Sequence, residues 1–228
     1  MNRILCILVA FFFSSVLCGQ EIIRLGKEDV LNAFKQYNPS ALKKASLNTE
    51  YGELLNKLSL AYSVADTEEN RLELIALVKN FDNSIFLQAV KMKYEKARTW
   101  QLMTGNDLKA LDKSTYQNVL KLVKSIFANT IDVKKIQIDL YQQELKEIKK
   151  NKELSADQKK ASTEQLENKI QTVKKEIKEF KTNKKQKIQD TARAYFSDIK
   201  SAYESQEAQM LQTKEPSVKS NPQKTAAQ

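Results

Sequence analysis

The sequence predicts an all-α protein: a helical core, then a long antiparallel coiled-coil hairpin, then a disordered C-terminal tail. Two observations lead to this prediction. Only four Gly and three Pro occur in 228 residues, so the chain contains few residues that interrupt helices. Between residues 131 and 195, apolar residues recur at spacings of three, four or seven, which is typical of the narrow stripe along which two helices pack.

The hairpin is predicted from two such apolar runs with a capped start between them. The first run comprises Ile131, Ile138, Tyr141, Leu145 and Ile148, and the second comprises Leu166, Ile170, Val173, Ile177 and Phe180. Ser155, with Gln158 three residues later, forms a capping box. One helix is therefore expected from a similar box at Ser114 and Gln117 to about Lys152, and a single return helix from Ala156 to about Ser205.

Ahead of the hairpin, wider apolar faces predict a compact helical core at about 22–110. Residues 21–25 could be a short strand or the start of the mature chain. Helices are expected over residues 27–37, 40–45 after Pro39, 49–64, 67–81, and from a cap at Asp82 or Ser84 to about Met103. Asp66 with Glu69 is a capping box for the fourth of these. Tyr94, Met92 and Trp100 are expected in the core.

The two ends of the chain differ from this body in composition. Residues 1–19 combine Arg3, a continuous apolar run from Ile4 to Phe13 and small residues at the end, which is the pattern of a signal peptide. Cys18 is a candidate for lipidation, or it is removed with the signal. Residues 212–228 lack apolar periodicity and contain two Pro, so a disordered tail is predicted. The hairpin then occupies about 112–206.

The composition argues against most catalytic chemistry. The chain has no His, which removes the commonest general base and metal ligand. Its two Cys, Cys6 and Cys18, both lie in the leader. The body is therefore expected to be non-enzymatic and to bind no cofactor, although carboxylate, Lys or Ser–Lys chemistry stays open. The carboxylates of Glu68 and Glu69 start a helix, where capping explains them.

The hairpin is rich in Lys. Residues 134–187 contain 16 Lys and 9 acidic residues, and Lys174, Lys175, Lys178 and Lys181 are the candidate partner-binding residues. These side chains could be the solvated outer face of a coiled coil. They could also form a cationic arm that attracts acidic or membrane-bound partners. Nucleic acid is not expected as a partner, because Arg is scarce and aromatic residues are not interleaved with the Lys.

The segment ELSADQKKASTEQLENKIQTVKKEIKEF, residues 153–180, together with the rest of 131–195, resembles the arm hairpins of the Skp/OmpH family of periplasmic chaperones. In that family, basic helical arms grow from a small β platform and form a trimeric cage around unfolded outer-membrane proteins. The resemblance implies a chaperone-like activity and a helical hairpin as the binding element.

The expected function is that of an exported, non-enzymatic protein of the bacterial envelope. The favoured interpretation is a periplasmic chaperone-like or scaffold protein that binds other envelope proteins through its basic hairpin. The alternative is a surface-exposed or lipid-anchored protein that binds host or matrix anions through its Lys face. Contact with a membrane surface and self-association both stay open.

Overall fold

The computed structural model describes the backbone of residues 23–214 and the side-chain surroundings of residues 23–205. The described chain forms seven helices and one two-stranded sheet, so the predicted all-α class is confirmed. The elements are β1 (Arg24–Leu25), α1 (Lys27–Tyr37), α2 (Pro39–Leu47), α3 (Thr49–Ala61), β2 (Val64–Ala65), α4 (Glu68–Thr104), α5 (Lys109–Lys150), α6 (Ala156–Lys181) and α7 (Lys184–Lys214). The predicted signal peptide, Cys18 and most of the predicted tail lie outside the described residues.

The three short helices and the first half of α4 enclose the first apolar cluster. Asn38 caps α2 through its side chain, and Pro39 takes the first helical position as predicted. The rings of Phe34 and Tyr51 both meet Phe81 edge to face, with centroids 5.1 and 5.4 Å away. These contacts fix α1 and α3 against α4 in an orientation that aromatic rings prefer.

Helix α4 is one continuous helix, whereas the sequence predicted two helices separated near Asp82. Asp82 does not cap a helix, because its carboxylate faces α2 and α3. It accepts hydrogen bonds from Lys44 Nζ at 2.7 Å, from Asn38 Nδ2 at 3.2 Å and from the hydroxyl of Tyr51. The predicted cap at Asp66 is also wrong: Thr67 caps α4, with its side chain accepting from the backbone nitrogen of Asn70.

The strand β1 pairs antiparallel with β2, with Arg24 opposite Ala65 and Leu25 opposite Val64. Residues 24–25 are therefore a strand, one of the two alternatives that the sequence left open. The predicted helix over 49–64 ends earlier, at Ala61, because Tyr62 adopts an extended conformation. Val64, the last residue of that predicted helix, instead belongs to the partner strand.

Helix α5 is the longest element of the described residues and contributes to the two other apolar clusters. Its 42 residues span about 63 Å at 1.5 Å per residue. Its first half packs between α4 and α7, where Tyr94, Val119, Val123 and Ala192 are buried. Its second half packs against α6, where Tyr141, Leu166, Ile170 and Val173 are buried and Ile138, Leu145, Ile148 and Ile177 lie beside them. This is the predicted antiparallel hairpin.

The helices of the hairpin differ from the prediction in three places. Helix α5 begins at Lys109, and Ser114 lies inside it, with its hydroxyl donating to the carbonyl of Leu111 at 2.9 Å. The predicted single return helix is two helices, since α6 ends at Lys181 and α7 starts at Lys184. Helix α7 then runs to Lys214, beyond the expected end near Ser205, so residues 212–214 are helical.

Candidate functional site: the basic junction of the hairpin

The start of α6 sets the hairpin turn, and the structure confirms its predicted cap. The Ser155 hydroxyl accepts from the backbone nitrogen of Gln158 at 3.2 Å, and the Gln158 side chain accepts from the backbone nitrogen of Ser155 at 2.9 Å. Both bonds satisfy donors that a helix start leaves unpaired. From this start, α6 buries Leu166, Ile170 and Val173 against α5.

The four predicted partner-binding residues are all exposed on the last turns of α6. Lys174, Lys178 and Lys181 follow one another at spacings of four and three, so they form one stripe along the helix. Lys175 lies about 100° further round, 3.9 Å from the carboxylate of Glu179. The other three form no ion pair within the described part of the chain, so their ammonium groups face solvent.

The structure adds three lysines from α7 to this surface. Lys184, Lys185 and Lys187 are exposed directly after the break between α6 and α7. We call the seven together the junction lysines: Lys174, Lys175, Lys178, Lys181, Lys184, Lys185 and Lys187. Residues 174–187 contain only two acidic side chains besides them, Glu176 and Glu179. The excess positive charge of the hairpin is therefore concentrated where α6 meets α7, and not at the turn between α5 and α6.

The break between α6 and α7 has a local cause. Asn183 has a φ of 55°, the left-handed region in which Asn is among the few tolerated residues. The hydroxyl of Thr182 donates to the carbonyl of Lys178 at 3.1 Å, and the Nζ of Lys187 donates to the carbonyl of Glu179 at 3.1 Å. The backbone nitrogen of Thr182 also donates to both carbonyls at 3.1 Å, so side-chain and backbone donors together close the last turn of α6.

One acidic residue in the region is already paired across the hairpin. The Nζ of Lys134 on α5 lies 2.6 Å from the carboxylate of Glu176 on α6. Next to this pair, the rings of Phe127 and Phe180 stack with centroids 4.8 Å apart. The pair and the stacked rings join α6 to α5 on the inner side, which leaves the outer side of α6 to the junction lysines.

A shallow depression adjoins the junction lysines, and part of its lining is apolar. It measures about 550 Å³ and is lined by Leu120, Lys124, Lys184, Lys185, Ile188 and Gln189. Lys124, Lys184 and Lys185 were not among the predicted partner-binding residues. The closely spaced Lys at 184–187 could have been recognised in the sequence as part of the basic surface. Lys124 could not, because it lies on α5 and only the packing of α5 on α7 brings it to the depression. The depression can accept a side chain or chain segment that combines negative charge with apolar groups.

A second polar cluster fixes the hairpin relative to α4, and we call it the Glu68 cluster: Glu68, Gln137, Tyr141 and Lys169. The carboxylate of Glu68 accepts from the hydroxyl of Tyr141 and, at 2.9 Å, from the Nζ of Lys169. Gln137 donates to the Tyr141 oxygen at 2.9 Å, and Lys169 lies 5.2 Å above the Tyr141 ring. The cluster therefore joins the start of α4 to both helices of the hairpin.

These contacts shift the titration of the groups involved. Partial burial raises the pKa of the Glu68 carboxyl, but the hydrogen bonds from Tyr141 and Lys169 and the charge of Lys169 outweigh burial and lower the pKa overall. Burial and the neighbouring Glu68 raise the pKa of the Tyr141 phenol. The hydrogen bond to Glu68 raises the pKa of Lys169. All three groups keep their ordinary charge state at neutral pH.

The described residues show neither a metal centre nor a membrane span. No three acidic side chains of the described chain come together so that they could bind a metal ion. None of the helices over residues 23–214 is both long and apolar enough to cross a bilayer. Comparison of the chain with protein-family models, with curated proteins and with solved structures finds no match.

Proposed function

We propose that this protein is an exported, non-enzymatic binding protein of the bacterial envelope. In this proposal it acts as a periplasmic chaperone-like or scaffold protein, and the junction lysines bind acidic surfaces of other envelope proteins. The observation that carries the proposal is the exposure of all seven junction lysines within fourteen residues that include only two acidic side chains. Such a concentration of charge attracts and orients acidic partners over distances comparable with the Debye length.

The apolar residues between α5 and α6, which we call the seam, are buried. Their burial supports charge as the main determinant of binding. Leu166, Ile170 and Val173 are buried between α5 and α6, so the outer surface of the hairpin offers ammonium groups more than apolar side chains. The resemblance to the arms of Skp/OmpH chaperones supports a hairpin as the binding element. The depression beside Lys184 would add a smaller apolar contribution.

Site-specific photo-crosslinking in growing cells tests the binding surface. A photoreactive amino acid replaces Lys178, and the matched control carries it at Lys57, an exposed lysine on α3. The proposal predicts crosslinks to envelope proteins from position 178 and few from position 57. Equal crosslinking at both positions, or none at position 178, would remove the basis for a binding role of the junction lysines.

Mass spectrometry of protein from the cell envelope tests the compartment. The proposal predicts a mature chain that starts between Cys18 and Glu21, because the apolar run from Ile4 to Phe13 directs export. An intact Met1 on envelope protein would contradict the predicted cleavage. A diacylglyceryl mass on Cys18 would identify the lipid-anchored alternative, and protease digestion of intact cells would then distinguish a surface location from a periplasmic one.

A further inference from the structure

The second half of α4 exposes an apolar stripe that the fold does not use. Met92, Trp100 and Met103 are 55%, 61% and 82% exposed, although the sequence predicted Met92 and Trp100 in the core. The predicted third core residue, Tyr94, is fully buried on the other side of the same helix. We call Met92, Lys93, Lys96, Trp100 and Met103 the α4 stripe.

Two opposite sides of α4 explain this difference. Val90, Tyr94 and Arg98 follow at spacings of four, are buried, and face α5 and α7. Met92, Lys96 and Trp100 also follow at spacings of four, but about half a turn away from the buried set. The apolar residues of the stripe therefore cannot reach the core without rotating the helix and exposing Tyr94.

The charge of the stripe is positive. Lys93 and Lys96 are exposed between its apolar residues, and they line a shallow depression of about 620 Å³ with Met92 and Trp100. The only acidic residue of α4 after Asp82 is Glu95, whose carboxylate accepts from Tyr203 of α7 at 3.3 Å. Glu50 of α3 lies at the edge of the depression.

We infer that the α4 stripe docks on the surface of a phospholipid membrane that carries anionic headgroups. Trp and Met can enter the boundary between headgroups and acyl chains, and Lys keeps its apolar stem in that boundary while its ammonium group reaches the phosphates. The position of the residues favours lipid over a protein partner. Trp100 and Met103 protrude from the last turns of α4, before Gly105 reverses the chain with a φ of 69°.

A protruding end of this kind fits a bilayer interface, which deforms around the inserted side chains. Protein partners usually bind aromatic anchors in preformed pockets and bury a much larger continuous area. The inference is independent of the proposed role of the junction lysines, because it concerns a different helix and a different kind of partner.

The single Trp of the chain makes the inference directly measurable. Trp100 is the only Trp, so the fluorescence of the full protein reports on this site alone. Titration with phosphatidylglycerol–phosphatidylcholine vesicles should shift the emission maximum to shorter wavelength and decrease quenching by acrylamide. Vesicles of phosphatidylcholine alone should give a much smaller shift, since they lack the negative charge that attracts Lys93 and Lys96.

Matched variants compare the stripe with exposed lysines on other helices. Lys93→Gln with Lys96→Gln should weaken vesicle binding about fivefold for each lysine, from about 1 kcal/mol for a lysine at an anionic surface. Met92→Ser with Met103→Ser should also weaken it. The control, Lys57→Gln with Lys121→Gln, removes two exposed lysines elsewhere and should bind like the parent. Circular dichroism should show unchanged helicity in all of them, because every replaced side chain is exposed.

The inference fails if the emission of Trp100 does not change with anionic vesicles. It also fails if the stripe variants and the control bind equally, since another part of the chain would then bind the lipid. A shift caused by an acidic amphipathic peptide but not by vesicles would overturn the inference as well, and would make the stripe a protein-docking site.

Discussion

Tyr141, in the second half of α5, donates its phenolic hydrogen to the carboxylate of Glu68, the first residue of α4, although 73 positions separate them. The bond joins the second half of α5 to the start of α4. The buried cluster around Tyr94 lies towards the opposite ends of the same two helices. The negative charge of Glu68 also suits the start of a helix. The orientation of the hairpin relative to the core therefore depends on a polar contact as well as on the apolar clusters.

Replacing Tyr141 by Phe should lower the free energy of unfolding by about 1–2 kcal/mol. The ring stays in the hairpin seam, but the hydrogen bond to a charged acceptor is lost, and bonds of that kind contribute about 1.5–3 kcal/mol. The lower range is expected because Glu68 keeps its bond to Lys169 at 2.9 Å. Urea unfolding followed by circular dichroism measures the change.

The matched control for this variant is Tyr37→Phe. The Tyr37 hydroxyl makes no hydrogen bond to the residues that the structure describes, so its removal should change stability by no more than about 0.5 kcal/mol. Equal losses in the two variants would show that the contact between Tyr141 and Glu68 does not stabilise the fold.

The stability of the protein should fall in acid, and Glu68 should be part of the reason. The pKa of Glu68 is lowered in the folded state, so near pH 4 the folded chain binds fewer protons than the unfolded chain. The stabilisation is complete above the ordinary Glu pKa of about 4.3 and is lost as pH falls through the lowered folded value. The pKa of Asp66 is also lowered, by its hydrogen bond to Arg71.

Urea midpoints at about pH 6 and about pH 3.5 test this dependence. The parent protein should lose more stability between the two values than Glu68→Gln, because the variant has no carboxyl to protonate at that position. Glu164→Gln removes an exposed carboxylate of the same hairpin and should behave like the parent. If Glu68→Gln loses as much as the parent does, protonation of Glu68 does not contribute to the acid sensitivity.

Replacing Ile170 by Ala should destabilise the hairpin but not the first three helices. Ile170 is 6% exposed in the seam with Tyr141 and Leu166, and truncation of a buried Ile costs about 2–5 kcal/mol. Hydrogen exchange should become faster in α6 and in the second half of α5. It should stay unchanged in α1–α3, whose apolar cluster shares no residue with the seam.

Ile23→Ala provides the comparison for this variant, because Ile23 is 72% exposed and its truncation leaves no cavity. Faster exchange in α1–α3 of Ile170→Ala would mean that hairpin and core unfold together. No change in α6 would mean that the two apolar runs do not stabilise each other.

The break between α6 and α7 should tolerate Gly at position 183 but not a β-branched residue. Asn183 has a φ of 55°, and a residue with a branched Cβ loses about 1–2 kcal/mol in that conformation. Asn183→Val should therefore lower the thermal midpoint, whereas Asn183→Gly should leave it nearly unchanged. Equal stability of the two variants would show that the left-handed conformation does not contribute to the break.

The sequence predicted most of the fold because helix periodicity and capping are local. The seam residues from Ile138 to Ile177 and the cap at Ser155 are found where their spacing placed them. The errors arose where a distant contact competes with a local signal. Asp82 resembles a helix cap, but Lys44, Asn38 and Tyr51 use its carboxylate instead, and α4 continues through it.

The candidate site was predicted only in part, for a similar reason. Lys174, Lys175, Lys178 and Lys181 follow one another closely enough for their surface to be visible in the sequence. The contribution of Lys124 and the contact between Glu68 and Tyr141 depend on residues far apart in the chain. Trp100 and Met92 were assigned to the core on residue type alone, and their position relative to Tyr94 on the helix decides otherwise.

The most direct test of the central claim is the rate at which the protein associates with an acidic probe, fluorescently labelled poly-L-glutamate, at increasing NaCl concentration. Three proteins are compared. They are the parent, the junction variant with Lys174, Lys175, Lys178 and Lys181 changed to Glu, and a control with Lys27, Lys43, Lys57 and Lys121 changed to Glu. The two variants have the same net charge and replace only exposed lysines, so their folds should be unaffected.

Recognition by the junction lysines predicts that the junction variant associates at least about tenfold more slowly than the control at low salt. The rate of the parent should fall steeply as NaCl approaches 0.15 M, where the Debye length is about 8 Å. If the two variants slow association equally, or if the parent is insensitive to salt, the junction lysines are only the solvated outer surface of a coiled coil.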